Sequence, residues 1–208
     1  MTDDEPIILV IDDDESFRRS TERLIRLAGF KVEAFESAAD FLCRKRPEAP
    51  ACAVLDVRMP GMSGLELQKQ LARGGVELPL IFITGHGDIP MSVRAMKAGA
   101  VEFLTKPFHE QVLLDAIQEA IKRDRAARAE QSRLAELRGR YNSLTPRECE
   151  VMRHVVLGLL NKQTAAKLGT KEKTIKFHRG NIMRKMQAQS LADLVRMAGL
   201  LHILVPAS

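Results

Sequence analysis

Ala53-Val54-Leu55-Asp56-Val57-Arg58-Met59-Pro60-Gly61 runs apolar residues straight into an acid and then breaks. The pattern predicts a buried strand whose C-terminal end lifts one carboxylate into a crevice, with a loop closing over it. In open parallel α/β sheets that edge is where ligands sit. The neighbouring segments supply such a sheet. Ile7-Ile8-Leu9-Val10-Ile11 is a continuous apolar run, as expected of a strand covered on both faces, and it ends in Asp12-Asp13-Asp14-Glu15. A helical pattern follows from Phe17 to Ala28 and stops at Gly29. Lys31 to Phe35 alternates like a strand, and Ser37 can cap a short helix to Leu42. After Asp56, residues Gly64 to Leu71 read as helix, Leu78 to Thr84 as strand, Pro90 to Ala98 as helix and Val101 to Leu104 as strand. A last helix starts near Glu110. Strands alternating with helices predict a doubly wound five-stranded parallel sheet with right-handed crossovers.

The charge is divided along the chain. Residues 1–110 carry 14 Lys/Arg against 18 Asp/Glu, a net of −4. Residues 111–143 have a net of +2 and residues 144–208 a net of +7, within an overall +5. Only the last part therefore suits a polyanionic partner. No apolar run approaches a membrane span, and the start does not resemble a secretory signal. Cys43, Cys52 and Cys149 are odd in number and lack metal-type spacing, and read as inert buried thiols of a reducing, cytoplasmic protein.

On the predicted sheet Asp12 and Asp13 end the first strand, Asp56 the third and Thr84 the fourth, with Lys106 at the end of the fifth. All five lie on one edge. Three clustered carboxylates repel one another and call for a cation. Hard oxygens with room for water suit Mg²⁺. Lys106 offers a second positive charge and Thr84 a hydroxyl, so the set suits a phosphoryl group held on a carboxylate. Asp14 and Glu15 read instead as helix capping. His86, between glycines, reads as a solvent-facing loop histidine or, less simply, a general base.

Residues 5–125 resemble a response-regulator receiver domain. The resemblance rests on Asp12-Asp13, Asp56, Met59-Pro60-Gly61, Ser63-Gly64, Thr84 and Lys106-Pro107. Thr84-Gly85-His86-Gly87-Asp88 and Met96-Lys97-Ala98-Gly99-Ala100 narrow it to the FixJ-like branch. The resemblance implies that Asp56 accepts a phosphoryl group from a sensor histidine kinase. It implies that Asp13, Asp56 and the Arg58 carbonyl bind Mg²⁺ directly, with Asp12 acting through water. Thr84 and Lys106 would sense the phosphoryl group. Phe103 would be the rotating aromatic of the switch, a plain core phenylalanine being the other reading. A cis bond between Lys106 and Pro107 is implied too.

Residues 122–141 are charged and Ala-rich, and continue the last helix towards Gly139. Leu134, Leu137 and Tyr141 share a face, which fits a solvated spacer or a short dimer coil. Thr145-Pro146-Arg147-Glu148 is a capping box with Pro at the first helical position. Asn161 can cap a second helix to Leu168, Thr170 a third to Met186, and Ser190 with Asp193 a fourth. Helix, glycine turn, helix is a helix-turn-helix layout. On a 100°-per-residue wheel Ile175, Ile182 and Met186 define the inner side of the third helix, flanked by His178 and Met183. Lys173, Lys176, Phe177, Gly180 and Arg184 face outward. An outward Phe among cations suits a DNA groove lined by thymine methyls. Arg179 falls on the apolar side, which suggests snorkelling.

This part is similar to the LuxR-type DNA-binding domain of the FixJ/NarL response regulators. It shares Leu144-Thr145-x-Arg147-Glu148, Asn161-Lys162-Gln163 and Thr174-Ile175-Lys176-x-His178-x-x-Asn181-Ile182-x-x-Lys185-Met186. The resemblance places Lys176, Phe177 and Gly180 against bases and Lys162 and Thr174 against phosphates. Gly180 replaces a larger residue, which removes one possible base contact. The fourth helix is either a dimer contact on DNA or plain core.

The expected organisation is a receiver over 5–123, a helical linker over 124–142 and a DNA-binding domain over 143–204. The expected function is a transcription regulator, not an enzyme. Phosphorylation at Asp56 would draw Thr84 inward and expose a dimer surface around the fourth helix and fifth strand, so that the homodimer grips a two-fold operator in double-stranded DNA. With no ATPase-type middle domain, activation would recruit RNA polymerase. No membrane partner is expected. Two alternatives stand beside this. Asp12-x-Asp14 resembles the nucleophile motif of haloacid-dehalogenase-like, Mg-dependent phosphatases, though a further acid pair on a later strand is lacking. A constitutive DNA-binding protein with an inactive receiver is the other.

Overall fold

The computed structural model describes residues 5–85 and 89–203. Among them the chain forms β1 (Ile7–Ile11), α1 (Glu15–Leu27), β2 (Lys31–Phe35), α2 (Ala38–Cys43), β3 (Ala51–Asp56), α3 (Gly64–Arg73), β4 (Leu80–Thr84), α4 (Ile89–Lys97) and β5 (Glu102–Thr105). There follow α5 (Glu110–Asn142), α6 (Pro146–Val156), α7 (Asn161–Lys167), α8 (Glu172–Met186) and α9 (Leu191–Leu200). His86, discussed above as a loop histidine, lies outside the described residues. The chain divides into two compact units, Met1–Arg128 and Ala129–Ser208.

The first unit is built on a parallel sheet of order β2-β1-β3-β4-β5. Strand side chains alternate between two apolar layers. Ile8, Val10, Cys52, Val54, Ile81 and Ile83 pack with Ile25 of α1 and Leu113 and Ile117 of α5. Leu9, Ile11, Ala53, Leu55 and Phe82 pack with Phe41, Leu67 and Ala95 from α2, α3 and α4. Burial on both faces is why these strands lack polar alternation. Helix α1 begins earlier than its apolar pattern, because the Asp14 carboxylate caps it by accepting from the N–H groups of Ser16 (2.9 Å) and Phe17 (3.1 Å). β4 starts at Leu80, two residues after the expected start, and β5 is displaced by one residue.

Gly64 opens α3 where no other residue fits, since a Cβ there would collide with the Asp56 carbonyl oxygen. Its N–H donates to the Val57 carbonyl at 3.0 Å. The loop after Asp56 is thereby folded back over the strand end, and the Ser63–Glu66 capping box fixes the start of α3.

α5 runs unbroken from Glu110 to Asn142. Its Asp124, buried to 1% exposure, lies within the first unit. One carboxylate oxygen accepts from Arg46 Nη2 (2.9 Å), the other from the Ala51 N–H (2.9 Å) and from Arg128. Arg128 also donates to the carbonyls of Glu48 (2.6 Å) and Pro47 (3.0 Å). Burial, reinforced by the Asp124 charge, pushes the Cys52 thiol far up, in keeping with an inert buried cysteine, whereas Cys43 is exposed and Cys149 half-buried, against that expectation.

In the second unit Leu137 is buried in one core with Val151, Met152, Val155, Ile175, Ile182, Met186, Leu194 and Ala198. Tyr141 packs against that core and Leu134 is half-buried. The apolar face of α5 is therefore core of this unit, which corrects both the solvated-spacer and the dimer-coil expectations. α6 carries the anticipated capping box, Glu148 N–H to Thr145 Oγ1 at 3.3 Å and Thr145 N–H to Glu148 Oε2 at 2.8 Å. Ser190 caps α9. Two other expected caps fail. Leu160, not Asn161, occupies the cap position of α7, where its N–H donates to Gln163 Oε1 at 2.8 Å. Lys171, not Thr170, precedes α8, with no side-chain cap.

Replacing Asp124 with Ala would remove the carboxylate shared by two guanidinium groups and a buried N–H. We expect the receiver unit to lose about 3 kcal/mol of unfolding free energy in urea, because removing one partner of a buried ion pair leaves the others unsatisfied. A loss below about 1 kcal/mol, the worth of an exposed pair, would refute this.

Candidate functional site

Asp12 follows β1, Asp56 ends β3, Thr84 ends β4 and Lys106 follows β5, so the strand order brings all four to one sheet edge. Asp12 is 2% exposed. Its Oδ1 accepts from the Asp14 N–H at 2.9 Å and its Oδ2 from the Lys106 ammonium at 2.9 Å. Asp56 is 7% exposed. Its Oδ2 accepts from the Arg58 N–H at 2.8 Å, and its Oδ1 lies 3.5 Å from Lys106 Nζ. Thr84 is buried, and its carbonyl accepts from the Lys106 N–H at 2.8 Å. The Lys106–Pro107 peptide is cis. Phe103 is half-buried beside Phe82, ring centroids 6.2 Å apart.

Asp12, Asp56, Thr84 and Lys106 share this edge, while Asp13 and Arg58 are exposed. Among the described residues no three acidic, histidine or cysteine side chains gather into a metal-holding group. The positive charge expected of Lys106 lies near both buried acids, 2.9 Å from Asp12 and 3.5 Å from Asp56. The donor set still fits Mg²⁺. Carboxylates and the Arg58 carbonyl are hard oxygens, and a set that leaves positions for water is what this ion prefers.

Three groups here were not legible as site residues. Phe17 of α1 presents its ring face to Lys106 Nζ, 3.4 Å from the centroid. Phe108 meets the Phe17 ring edge-on, centroids 6.2 Å apart. Arg18 donates to the Asp12 carbonyl at 2.6 Å. In sequence Phe17 is only the first apolar position of a helix, which gives no hint of a cation over its face. Asp14 is an exposed helix cap, so the Asp12-x-Asp14 pairing needed by the dehalogenase-like alternative is absent.

In the second unit α8 presents Lys173, Lys176, Phe177, Gly180 and Arg184 to solvent, and Lys162 is exposed on α7. Phe177 is 66% exposed, an apolar ring among cations. Thr174 is half-buried. Arg179 does not snorkel as expected, because it donates to Asn161 Oδ1 at 2.9 Å and ties α8 to α7. Lys185 is likewise structural, donating to Glu148 Oε2 at 2.6 Å and to the Ser143 carbonyl at 3.1 Å. Burial works to raise the Glu148 pKa, but the Lys185 and Thr145 hydrogen bonds outweigh it and hold the carboxyl below the usual range.

Burial pushes the Asp56 carboxyl up. The Arg58 N–H and the Lys106 charge pull it down, Asp12 adds to the rise, and the net direction is upward. The folded chain therefore holds this proton more tightly than the unfolded chain. Stability falls as pH rises from the unfolded value to the raised folded one, and the cost persists above it. Asp56→Asn removes that cost. The variant should unfold at a higher urea concentration than the parent at neutral pH, and the difference should vanish near pH ~3.5, below the unfolded aspartate value. A variant no more stable than the parent at neutral pH would refute the assignment.

Comparison with known proteins agrees with this two-part geometry. Residues 8–118 match the model of the response regulator receiver domain. Residues 142–198 match that of bacterial regulatory proteins of the luxR family. Nodulation protein W of Bradyrhizobium diazoefficiens is 53% identical over 197 residues, spanning 95% of this chain and 87% of that protein. Response regulator protein TodT of Pseudomonas putida is 50% identical, spanning 94% and 86%. The structure of response regulator StyR is 50% identical and covers 94% of this chain and 98% of its own, with a TM-score of 0.83. Full-length FixJ from B. japonicum is 41% identical, covers 96% and 98%, and has a TM-score of 0.57. The chain therefore belongs to the response-regulator family, in its FixJ-like branch, and is a transcription regulator, not an enzyme, that joins a receiver domain to a LuxR-type DNA-binding domain.

Proposed function

We propose that Asp56 is the phospho-acceptor of a two-component system and that its modification controls DNA binding by α8. The observation that carries this is the Lys106 ammonium held between Asp12 and Asp56, at 2.9 and 3.5 Å, on the sheet edge. A sensor histidine kinase supplies the phosphoryl group. The bond from phosphorus to the kinase histidine breaks as a bond to an Asp56 oxygen forms. Mg²⁺, held by Asp13, Asp56 and the Arg58 carbonyl with Asp12 acting through water, would neutralise charge on the phosphoryl oxygens. Lys106 moves its ammonium to one of those oxygens, and the Thr84 hydroxyl donates to another. Thr84 moving inward leaves space beside β5 that Phe103 can fill.

The consequence is a shift of population towards a homodimer. α4 turns Ile89, Val93 and Met96 to solvent, an apolar set suited to pairing with a second copy. On DNA, Lys176, Phe177 and Gly180 face bases, Lys162 and Thr174 hold phosphates, and Lys173 and Arg184 flank them. Half-sites of the two-fold operator lie about one helical turn, roughly 34 Å, apart. RNA polymerase is recruited at the promoter. Such a regulator works in the cytoplasm, where bacterial DNA lies. Among the described residues no helix is long and apolar enough to cross a membrane.

Sedimentation of the full chain with Mg²⁺ and beryllofluoride should show dimers for the parent and monomers for Asp56→Asn. A mimic that dimerises Asp56→Asn would defeat the assignment. Lys162→Ala should weaken operator binding and lower the slope of log affinity against log salt by about 1. An unchanged slope would remove Lys162 from the phosphate contacts.

A further inference from the structure

We infer that Phe17 is a positioning residue for Lys106, its ring face holding the ammonium in line between Asp12 and Asp56. The inference rests on the proposed role of Asp56 and adds to it a group that neither strand end nor motif supplies. Three contacts meet at one nitrogen. Lys106 Nζ is 2.9 Å from Asp12 Oδ2, 3.5 Å from Asp56 Oδ1 and 3.4 Å from the Phe17 ring centroid. An ammonium has three hydrogens, and two carboxylates leave one side of it without a partner. The negative face of an aromatic ring covers that side without offering a competing hydrogen-bond acceptor. The ring is itself oriented, since Phe108 stands against it at 78° with centroids 6.2 Å apart. Phe108 lies two residues beyond Lys106, so the turn that delivers the lysine also delivers the buttress for its aromatic seat.

The seat matters because Lys106 sits at the end of a flexible four-carbon stem. Without the ring, the third hydrogen turns to water, the ammonium is rehydrated and its position spreads. Phosphoryl transfer to Asp56 puts charge on oxygens that this ammonium neutralises. A spread in its position therefore slows acceptance, though both carboxylates stay in place. Aliphatic replacement keeps the packing of Phe17 against the core beside α5 but removes the negative face.

The test uses full-length protein with 4-fluoro-, difluoro- and trifluorophenylalanine at position 17, together with Phe17→Leu and Phe17→Trp. Fluorine drains the ring's negative face at nearly constant shape. The readout is the rate of Asp56 labelling by acetyl phosphate in Mg²⁺, with the labelled residue located by mass spectrometry. The rate should fall stepwise with fluorination, fall roughly two- to thirty-fold in Phe17→Leu and be retained in Phe17→Trp. In a second readout, NMR should show the Lys106 side-chain protons shifted upfield by the ring in the parent and not in Phe17→Leu. Equal labelling rates along the fluorine series would overturn the inference, whatever Phe17→Leu does to stability, and leave Asp56 as acceptor. Labelling that misses Asp56 in the parent would overturn the underlying assignment, and the upfield shift would still report the contact.

Discussion

One ammonium shared by two buried carboxylates constrains this receiver more than any other contact. Asp12 and Asp56 end neighbouring strands and are almost fully out of water. Two such acids cannot both stay charged side by side without a nearby cation. Lys106, 94 residues from Asp12 in sequence, provides it. The sheet order makes this possible. β5 lies at the edge beside β4, and the Lys106 N–H is bonded to the Thr84 carbonyl, so the lysine is delivered from the same rim as the acids. Gly64 lets the following loop pass close over Asp56, and Arg18 fixes the Asp12 carbonyl. The crevice is thus a consequence of strand order combined with a few side chains that leave the backbone no slack.

The basic unit obeys a different economy of charge. Its sequence suggests a broadly cationic surface, yet the structure commits two cations of α8 internally. Arg179 joins α8 to α7 through Asn161, and Lys185 locks α8 to the start of α6 through Glu148. Lys173, Lys176 and Arg184 remain on the outer face, around an exposed Phe177. Net charge therefore overstates how many groups can meet phosphates. It also explains why an arginine lies on the inner side of the helical wheel, where a bond to an amide oxygen lets a cation sit beside an apolar core.

The sheet, the helices and the edge residues could be read directly because they depend on local pattern. Apolar runs ending in acids mark buried parallel strands, and Thr145 with Glu148 marks a helix start. The failures involve through-space partners. Asn161 looks like a cap because its type caps helices, but an arginine eighteen residues away takes its oxygen. Leu137 and Tyr141 look like a coil seam because spacing cannot say which apolar surface receives them. Phe17 gives no signal, since its meaning comes from a lysine delivered by the opposite end of the domain. Asp12 and Asp13 are adjacent in sequence, yet Asp12 is buried and Asp13 exposed, a difference that adjacency alone cannot give.

A single phosphoryl group can drive such a switch only if its contacts differ enough between two states. Moving a population from 1:99 to 99:1 takes about 5.5 kcal/mol of differential binding. Hydrogen bonds to charged groups contribute about 1.5–3 kcal/mol each. Two to four of them therefore suffice, and in the proposed switch Lys106, Thr84 and a bound cation would supply three. Lys106 stands closer to Asp12 than to Asp56, so under the proposed role of Asp56 a move of the ammonium towards the phosphoryl group would give up one contact as it gained another. That exchange lowers the net gain per contact.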